Sequence, residues 1–158
     1  MPNALSPLEL LHEALRRRYG SRLDSYRLPP PSFTTMQGEI LGFDEQAGTL
    51  STRFPILESQ LNPFSTLQGG FLAAAVDNTF GPLSLLVGPP NVTRRLELTY
   101  SRPATLEMGH ILVNAHLVER SERQLELSAE VLDLQGNRLA RARATHWIIA
   151  SESEFNGQ

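Results

Sequence analysis

Cysteine is absent from all 158 residues, which removes disulfides, thiolate nucleophiles and Cys-based metal sites together. Excess charge is absent too: 14 basic and 17 acidic side chains leave a net −3 with histidine neutral. Nothing in that balance points to nucleic acid as a partner. No apolar run approaches the roughly 20 residues of a membrane span, and the N-terminus lacks the basic-then-apolar order of a signal peptide. There is no G-x-S-x-G elbow for a nucleophilic serine, no G-x-G-x-x-G and no Walker loop. The histidines are not spaced as metal ligands. His110 and His116 sit six residues apart on one expected strand, about 20 Å from each other. His12 and His146 have no acidic or Cys partner at ligand spacing. No metal, cofactor or membrane insertion is expected. The 41% hydrophobic and 20% charged composition is that of an ordinary globular chain. Its length fits one domain, burying roughly 70% of its unfolded surface. A soluble, cytoplasmic protein is the expectation.

What is there centres on residues 62–86, NPFSTLQGGFLAAAVDNTFGPLSLL. Turn-forming residues (Asn62-Pro63, Ser65-Thr66, Gly69-Gly70) lead into Phe71-Leu72-Ala73-Ala74-Ala75-Val76, which is apolar on every side of a helical period. Such a helix is expected to be buried, and Asp77 is then a buried acid, costly without partners. The amides at a helix start can hold a developing negative charge, and Gly69 and Gly70 leave the backbone open to a ligand. Gly69 and Asp77 are eight residues, about 12 Å of helix rise, apart. Reacting groups must come within about 3–3.5 Å. One copy of the helix cannot serve both, whereas two antiparallel copies crossing at Ala73-Ala74-Ala75 can. The spacing therefore predicts a homodimer with composite sites.

In the rest of the chain, Ser6-Pro7-Leu8-Glu9 reads as a helix start with Ser as N-cap, Pro at the first position and Glu at the third. Leu8, Leu11 and Leu15 follow on one face. Arg16-Arg17-Arg18 reads as a solvated helix face rather than a phosphate site. Pro29-Pro30-Pro31 is a stiff connector. A hairpin is expected from Thr34–Phe43 and Thr49–Phe54, turning at Asp44–Gly48. Gly81-Pro82 should kink or end the central helix, and Gly88-Pro89-Pro90 is a clear break. Four strands then follow, Val92–Arg102, Ile111–Glu119, Leu125–Asp133 and Leu139–Ala150, as an antiparallel meander. Leu96, Leu98 and Tyr100 share a face opposite Glu97 and Thr99. The helix is the natural filling for the sheet's dry face. Arg138, Arg141 and Arg143 could grip an anion, though alternation places Arg141 and Arg143 together where solvent is the simpler explanation.

The order hairpin, Asn-x5-Gln-Gly-Gly loop, helix with Asp, then four strands resembles the hotdog-fold acyl-CoA thioesterases, in particular the phenylacetate-degradation and 4-hydroxybenzoyl-CoA thioesterase group. The resemblance runs over 32–150 and rests on Asn62, Gly69-Gly70 and Asp77 at matching spacing. Val92-Thr93, Leu98-Thr99-Tyr100, Pro103-Ala104, Asp133-x-x-Gly136 and Leu139-Ala140-Arg141-Ala142 add to it. It implies an α+β fold in which about six antiparallel strands wrap a central helix. An extra N-terminal helix and connector would occupy 1–31, and a tail 151–158. It also implies hydrolysis of an acyl-CoA by a homodimer or dimer of dimers. Gly69 N–H would be the oxyanion donor of one subunit, and Asp77 the base or nucleophile of the other. Asn62 and Thr93 would place water or substrate, with Gln68 and Gly70 lining the loop. Arg94, Arg95 and Arg102 are candidates for the CoA portion. Gln68 stands where the family has His; an amide copies its hydrogen bonding but cannot carry a proton. A dehydratase or hydratase would need that His, so Gln68 argues against it. A non-catalytic acyl-CoA-binding module is opposed by Asp77, Asn62 and Thr93 occurring together.

Overall fold

The computed structural model describes residues 4–150; the expected tail at 151–158 lies outside them. The first helix, α1, runs over Pro7–Tyr19. Its start is the capping box expected from the sequence: Ser6 Oγ accepts from Glu9 N at 3.3 Å, and Glu9 Oε2 accepts from Ser6 N at 2.7 Å. Leu11, Ala14, Leu15 and Tyr19 are buried, while Leu8 stays 40% exposed. Two of the three arginines lie in solvent with acidic partners, Arg16 on Asp24 at 2.7 Å and Arg17 on Glu45 at 3.4 Å. Arg18 instead joins Tyr19 on the carbonyl of Gly88, at 3.1 and 2.8 Å, tying α1 to the end of the central helix.

The hairpin needs one correction. Its first strand, β1 (Glu39–Asp44), begins at Glu39 rather than Thr34 because a short helix, α2 (Pro31–Thr35), comes first. Pro31 takes the first helical position, where its missing N–H costs nothing, and the Pro30 carbonyl accepts from Phe33 and Thr34. Gly38 then passes under two rings: a Cβ there would lie 2.7 Å from both Phe33 and Phe54. The second strand, β2 (Thr49–Pro55), follows a turn in which Asp44 Oδ1 accepts from Gln46 N and Ala47 N and Gly48 takes φ +64°.

The four later strands are β3 (Asn91–Tyr100), β4 (His110–Arg120), β5 (Gln124–Leu132) and β6 (Arg138–Ile148). With β1 and β2 they form one six-stranded sheet in the order β1-β2-β4-β5-β6-β3, every pairing antiparallel. β3 does not pair with the next strand, so the expected four-strand meander holds only for β4, β5 and β6; β3 is an edge, paired only on its β6 side.

The central helix α3 (Gly69–Val87) packs on this sheet. Leu72, Ala75, Val76, Phe80 and Leu83 are almost wholly buried. Thr79, also on that face, satisfies its hydroxyl on the Ala75 carbonyl and Thr52 Oγ1. Two expectations change here. Phe71 and Asp77 are exposed, and Ala73 and Ala74 half-buried, so the helix is not enclosed and Asp77 is not a buried acid in the single chain. The sheet covers one side of the helix and α1 and α2 reach part of the other, which leaves Phe71 and Asp77 open within one chain. Pro82 does not end the helix, which continues to Val87 and stops at the Gly88-Pro89-Pro90 break. Nineteen residues of this composition would suffice to cross a membrane, contrary to the expectation from run length, but half are buried inside the molecule.

Candidate active site

Asp77 is met on the open side of α3 by the start of β3. Thr93 Oγ1 donates to Asp77 Oδ1 at 2.9 Å. The contact depends on a bulge in β3: Thr93 pairs with His146 and Arg95 with Thr145, leaving Arg94 as the extra residue. Such bulges re-aim side chains. His146, 2% exposed, lies behind Thr93 with Nε2 3.3 Å from the hydroxyl and Nδ1 2.8 Å from Asn91 Oδ1. Asn91 Nδ2 donates to the carbonyls of Pro89 at 2.8 Å and Ser84 at 3.3 Å, which fixes its oxygen toward the ring. The network therefore assigns the proton to Nδ1 and the acceptor lone pair to Nε2. Burial pushes the His146 pKa down, with the Asp77 charge pulling the other way, so the neutral ring is favoured. One hydroxyl thus stands between two acceptors, and its proton goes to the nearer one, the carboxylate. This holds Asp77 in one orientation with a lone pair left for water or substrate.

At the start of α3, Gly69 and Gly70 are the first two helical residues, whose amides have no intrahelical acceptor. Among the described residues neither amide donates a hydrogen bond. Gly69 has negative φ, and its carbonyl accepts from Tyr100 Oη at 2.8 Å. Burial raises the Tyr100 pKa, keeping the phenol protonated as that donor. A depression of about 360 Å3 opens here, lined by Gly69, Tyr100 and Arg102 among others. Asn62 braces the loop before the helix: Oδ1 accepts from Phe64 N at 2.9 Å and Thr66 N at 3.2 Å, and Nδ2 donates to Thr66 Oγ1 at 2.8 Å. Gln68 is exposed at the N-cap position, with no side-chain bond to the helix.

Of the sequence-derived candidates, the fold brings Asp77 and Thr93 together at one place, and Gly69 and Arg102 at another. Gln68 and Gly70 adjoin Gly69 along the chain, and Asn62 shapes the loop leading to them. Arg94 and Arg95 join neither group by direct contact: Arg94 lies over the Trp147 ring at 3.4 Å from its centroid, and Arg95 pairs with Glu97. Asp133 and Gly136 form the β5–β6 turn, Asp133 Oδ1 accepting from Gln135 N and Asn137 N while Gly136 takes φ +86°. Spacing does not disclose His146, Asn91 or the Tyr100 contact, because each relation is made by strand pairing or helix packing across the chain.

The six-stranded antiparallel sheet with one long helix against it is the hotdog fold. No protein-family model and no curated protein matches the chain, but solved structures do. A phenylacetic acid degradation-related protein of Ralstonia eutropha JMP134, named as a candidate thioesterase, matches at 29% identity with a TM-score of 0.71, over 82% of this chain and 99% of that one. The E. coli PaaI protein from the phenylacetic acid degradation operon matches at 15% identity with a TM-score of 0.74, over 89% of this chain and 97% of its own. A Streptococcus mutans UA159 protein bound to acetyl CoA matches at 17% identity with a TM-score of 0.68, over 83% and 98%. The last two share the fold; the first also supports a thioesterase relationship.

Proposed function

We propose that this chain is an acyl-CoA thioesterase whose sites are shared between two subunits. The observation that carries the reading is the Thr93–Asp77 hydrogen bond on the open side of α3, at mid-helix and about 12 Å of rise from the free Gly69 amide. A facing antiparallel α3 would bring the partner's Gly69 beside Asp77. The uncovered face of α3 and the unpaired edge of β3 support a homodimer, and a pair of such dimers is compatible with the same surfaces. In the reaction, Gly69 N–H receives the thioester carbonyl oxygen as it gains negative charge. Asp77 takes a proton from water, whose oxygen adds to the carbonyl carbon, or adds to that carbon itself. Collapse breaks the C–S bond and releases CoA as thiolate, which takes the proton given up by water; where Asp77 has itself added, a water then hydrolyses the acyl-Asp77 anhydride to free acid and the restored carboxylate. Thr93 fixes the carboxylate. Asn62 holds the loop that presents Gly69 and keeps one amide hydrogen for the substrate carbonyl. Gln68 and Gly70 border that carbonyl, and Arg102 is the cation best placed for the CoA phosphates; Arg94 and Arg95 are secondary candidates. The test is hydrolysis of aryl, short-chain and long-chain acyl-CoAs by purified wild-type and Asp77→Asn protein. Turnover should fall at least about 10²-fold in the nearly isosteric variant, the scale of a lost general base. Unchanged turnover in folded Asp77→Asn would place the chemistry elsewhere.

A further inference from the structure

A cavity of about 800 Å3 lies between α1 and α3, and Asp77, Thr93 and His146 are part of its wall. Most of the remaining wall is apolar: Leu5 just before α1, Leu8, Leu11 and Leu15 from α1, Phe33 from α2 and Leu85 from α3. Two of these, Leu5 and Leu8, keep 44% and 40% of their surface exposed. Such exposure at the cavity's mouth leaves apolar area for something else to cover. The size is within the range that takes a drug-sized ligand, and an acetyl group would leave most of it empty.

Charge decides which part of a thioester goes there. The sequence has no lysine, and no arginine lines the cavity, whereas Glu9, Glu13 and Asp77 do. A wall with three carboxylates and neither lysine nor arginine repels the phosphates of CoA. It equally repels an acyl group ending in a carboxylate. The depression at Gly69 has the opposite character, with Arg102 in its lining. A thioester carbonyl at Asp77 therefore has one direction that suits a neutral apolar chain, under α1, and another for its anionic carrier.

We propose that the cavity beneath α1 is the acyl site, and that the substrates are thioesters of neutral, medium- to long-chain fatty acids. This rests on the thioesterase reading and adds the substrate class and a role for α1. Burying one more methylene improves binding about fourfold, so kcat/KM should climb steeply with chain length until the cavity is full.

The experiment compares kcat/KM for acetyl-, octanoyl-, lauroyl-, phenylacetyl- and succinyl-CoA, in wild type and in Leu8→Glu. The exposed first-turn position of Leu8 accepts an acid, which the helix dipole favours, so the variant should fold. Octanoyl- or lauroyl-CoA should exceed acetyl- and succinyl-CoA at least a hundredfold and also exceed phenylacetyl-CoA. Leu8→Glu should lower the lauroyl-to-acetyl ratio at least tenfold. Preference for acetyl-, phenylacetyl- or succinyl-CoA, or an unchanged ratio in Leu8→Glu, overturns the acyl-site proposal and leaves the thioesterase reading standing. If no thioester is hydrolysed, the thioesterase reading fails. Calorimetric binding then decides the site: tighter binding of lauroyl- than acetyl-CoA, weakened in Leu8→Glu, upholds the cavity, and equal binding overturns it.

Discussion

A shared site can be tested by giving each subunit a different defect. Gly69→Pro removes one N–H and nothing else of the oxyanion donor. The structure permits it: Gly69 is the first residue of α3, where proline is favoured, and its φ is negative. Gln68 before it has ψ 130°, the extended conformation a following proline requires. A Cβ at Gly69 would come 3.2 Å from Tyr100 Oη, and Tyr100, 52% exposed, can yield a few tenths of an ångström. Losing one such donor costs about 10²–10³ in turnover. The complementary variant, Asp77→Ala, loses at least about 10² and leaves no orphan, because the Thr93 hydroxyl can turn to His146 Nε2. Each homodimer is then close to inactive. Co-refolded in equal amounts, half the dimers are mixed; one of their two sites carries both defects and the other neither. The mixture should regain up to about a quarter of wild-type activity, well above the roughly 1% of either variant alone. Two differently tagged chains, purified in tandem, establish that mixed dimers are present. If those dimers stay inactive, Gly69 and Asp77 do not serve one site across the interface.

Two further outcomes follow from the same site. His146 is held below its usual pKa by burial, so between the folded and unfolded values the unfolded chain binds the additional proton. Stability from this group is complete above about pH 6.5 and is lost as pH falls through the folded pKa. Denaturant titrations across that range should show the decline, and His146→Phe should flatten it while costing about 1–3 kcal/mol for the Asn91 oxygen left without a donor; an identical slope in the variant would assign the decline to other groups. Gln68 is exposed and makes no bond to the helix it caps, so Gln68→His should leave kcat/KM within about tenfold, some 1.4 kcal/mol of barrier. A far larger gain would mean that the chain lacks a catalytic side chain and would favour the binding-module alternative.

The legibility of this sequence follows how local each feature is. The Ser6-to-Glu9 cap is settled within four residues and was readable there. The four C-terminal strands were readable because alternation and short turns repeat the same information several times. The α2 turn was not. Phe33, Thr34 and Thr35 favour strands, and only the proline start and the packing of Gly38 between Phe33 and Phe54 override them. The exposure of Asp77 is hidden from the sequence for a different reason. An apolar helix announces that its surface will be covered, but the pattern does not distinguish a sheet of the same chain from a second copy.

Thr93 shows how one residue of register decides a site. Counting by twos from Leu96 and Leu98 puts residues 92 and 94 on the inner face and sends Thr93 outward with Glu97 and Thr99. Strand alternation alone would thus aim its hydroxyl away from the helix. The bulge at Arg94 restores it: Thr93 and Leu96, three apart, face the same way, and Thr93 pairs with His146 instead of passing it. A one-residue slip exchanges the faces of a strand, and here the slip is built into the chain just where β3 crosses Asp77. The extra residue lies over Trp147, which gives the displaced Arg94 a place on the outer surface. The Asp77–Thr93 pair is therefore a property of β3 pairing with β6, formed only once Asn91–Tyr100 and Arg138–Ile148 have found each other across nearly 40 intervening residues.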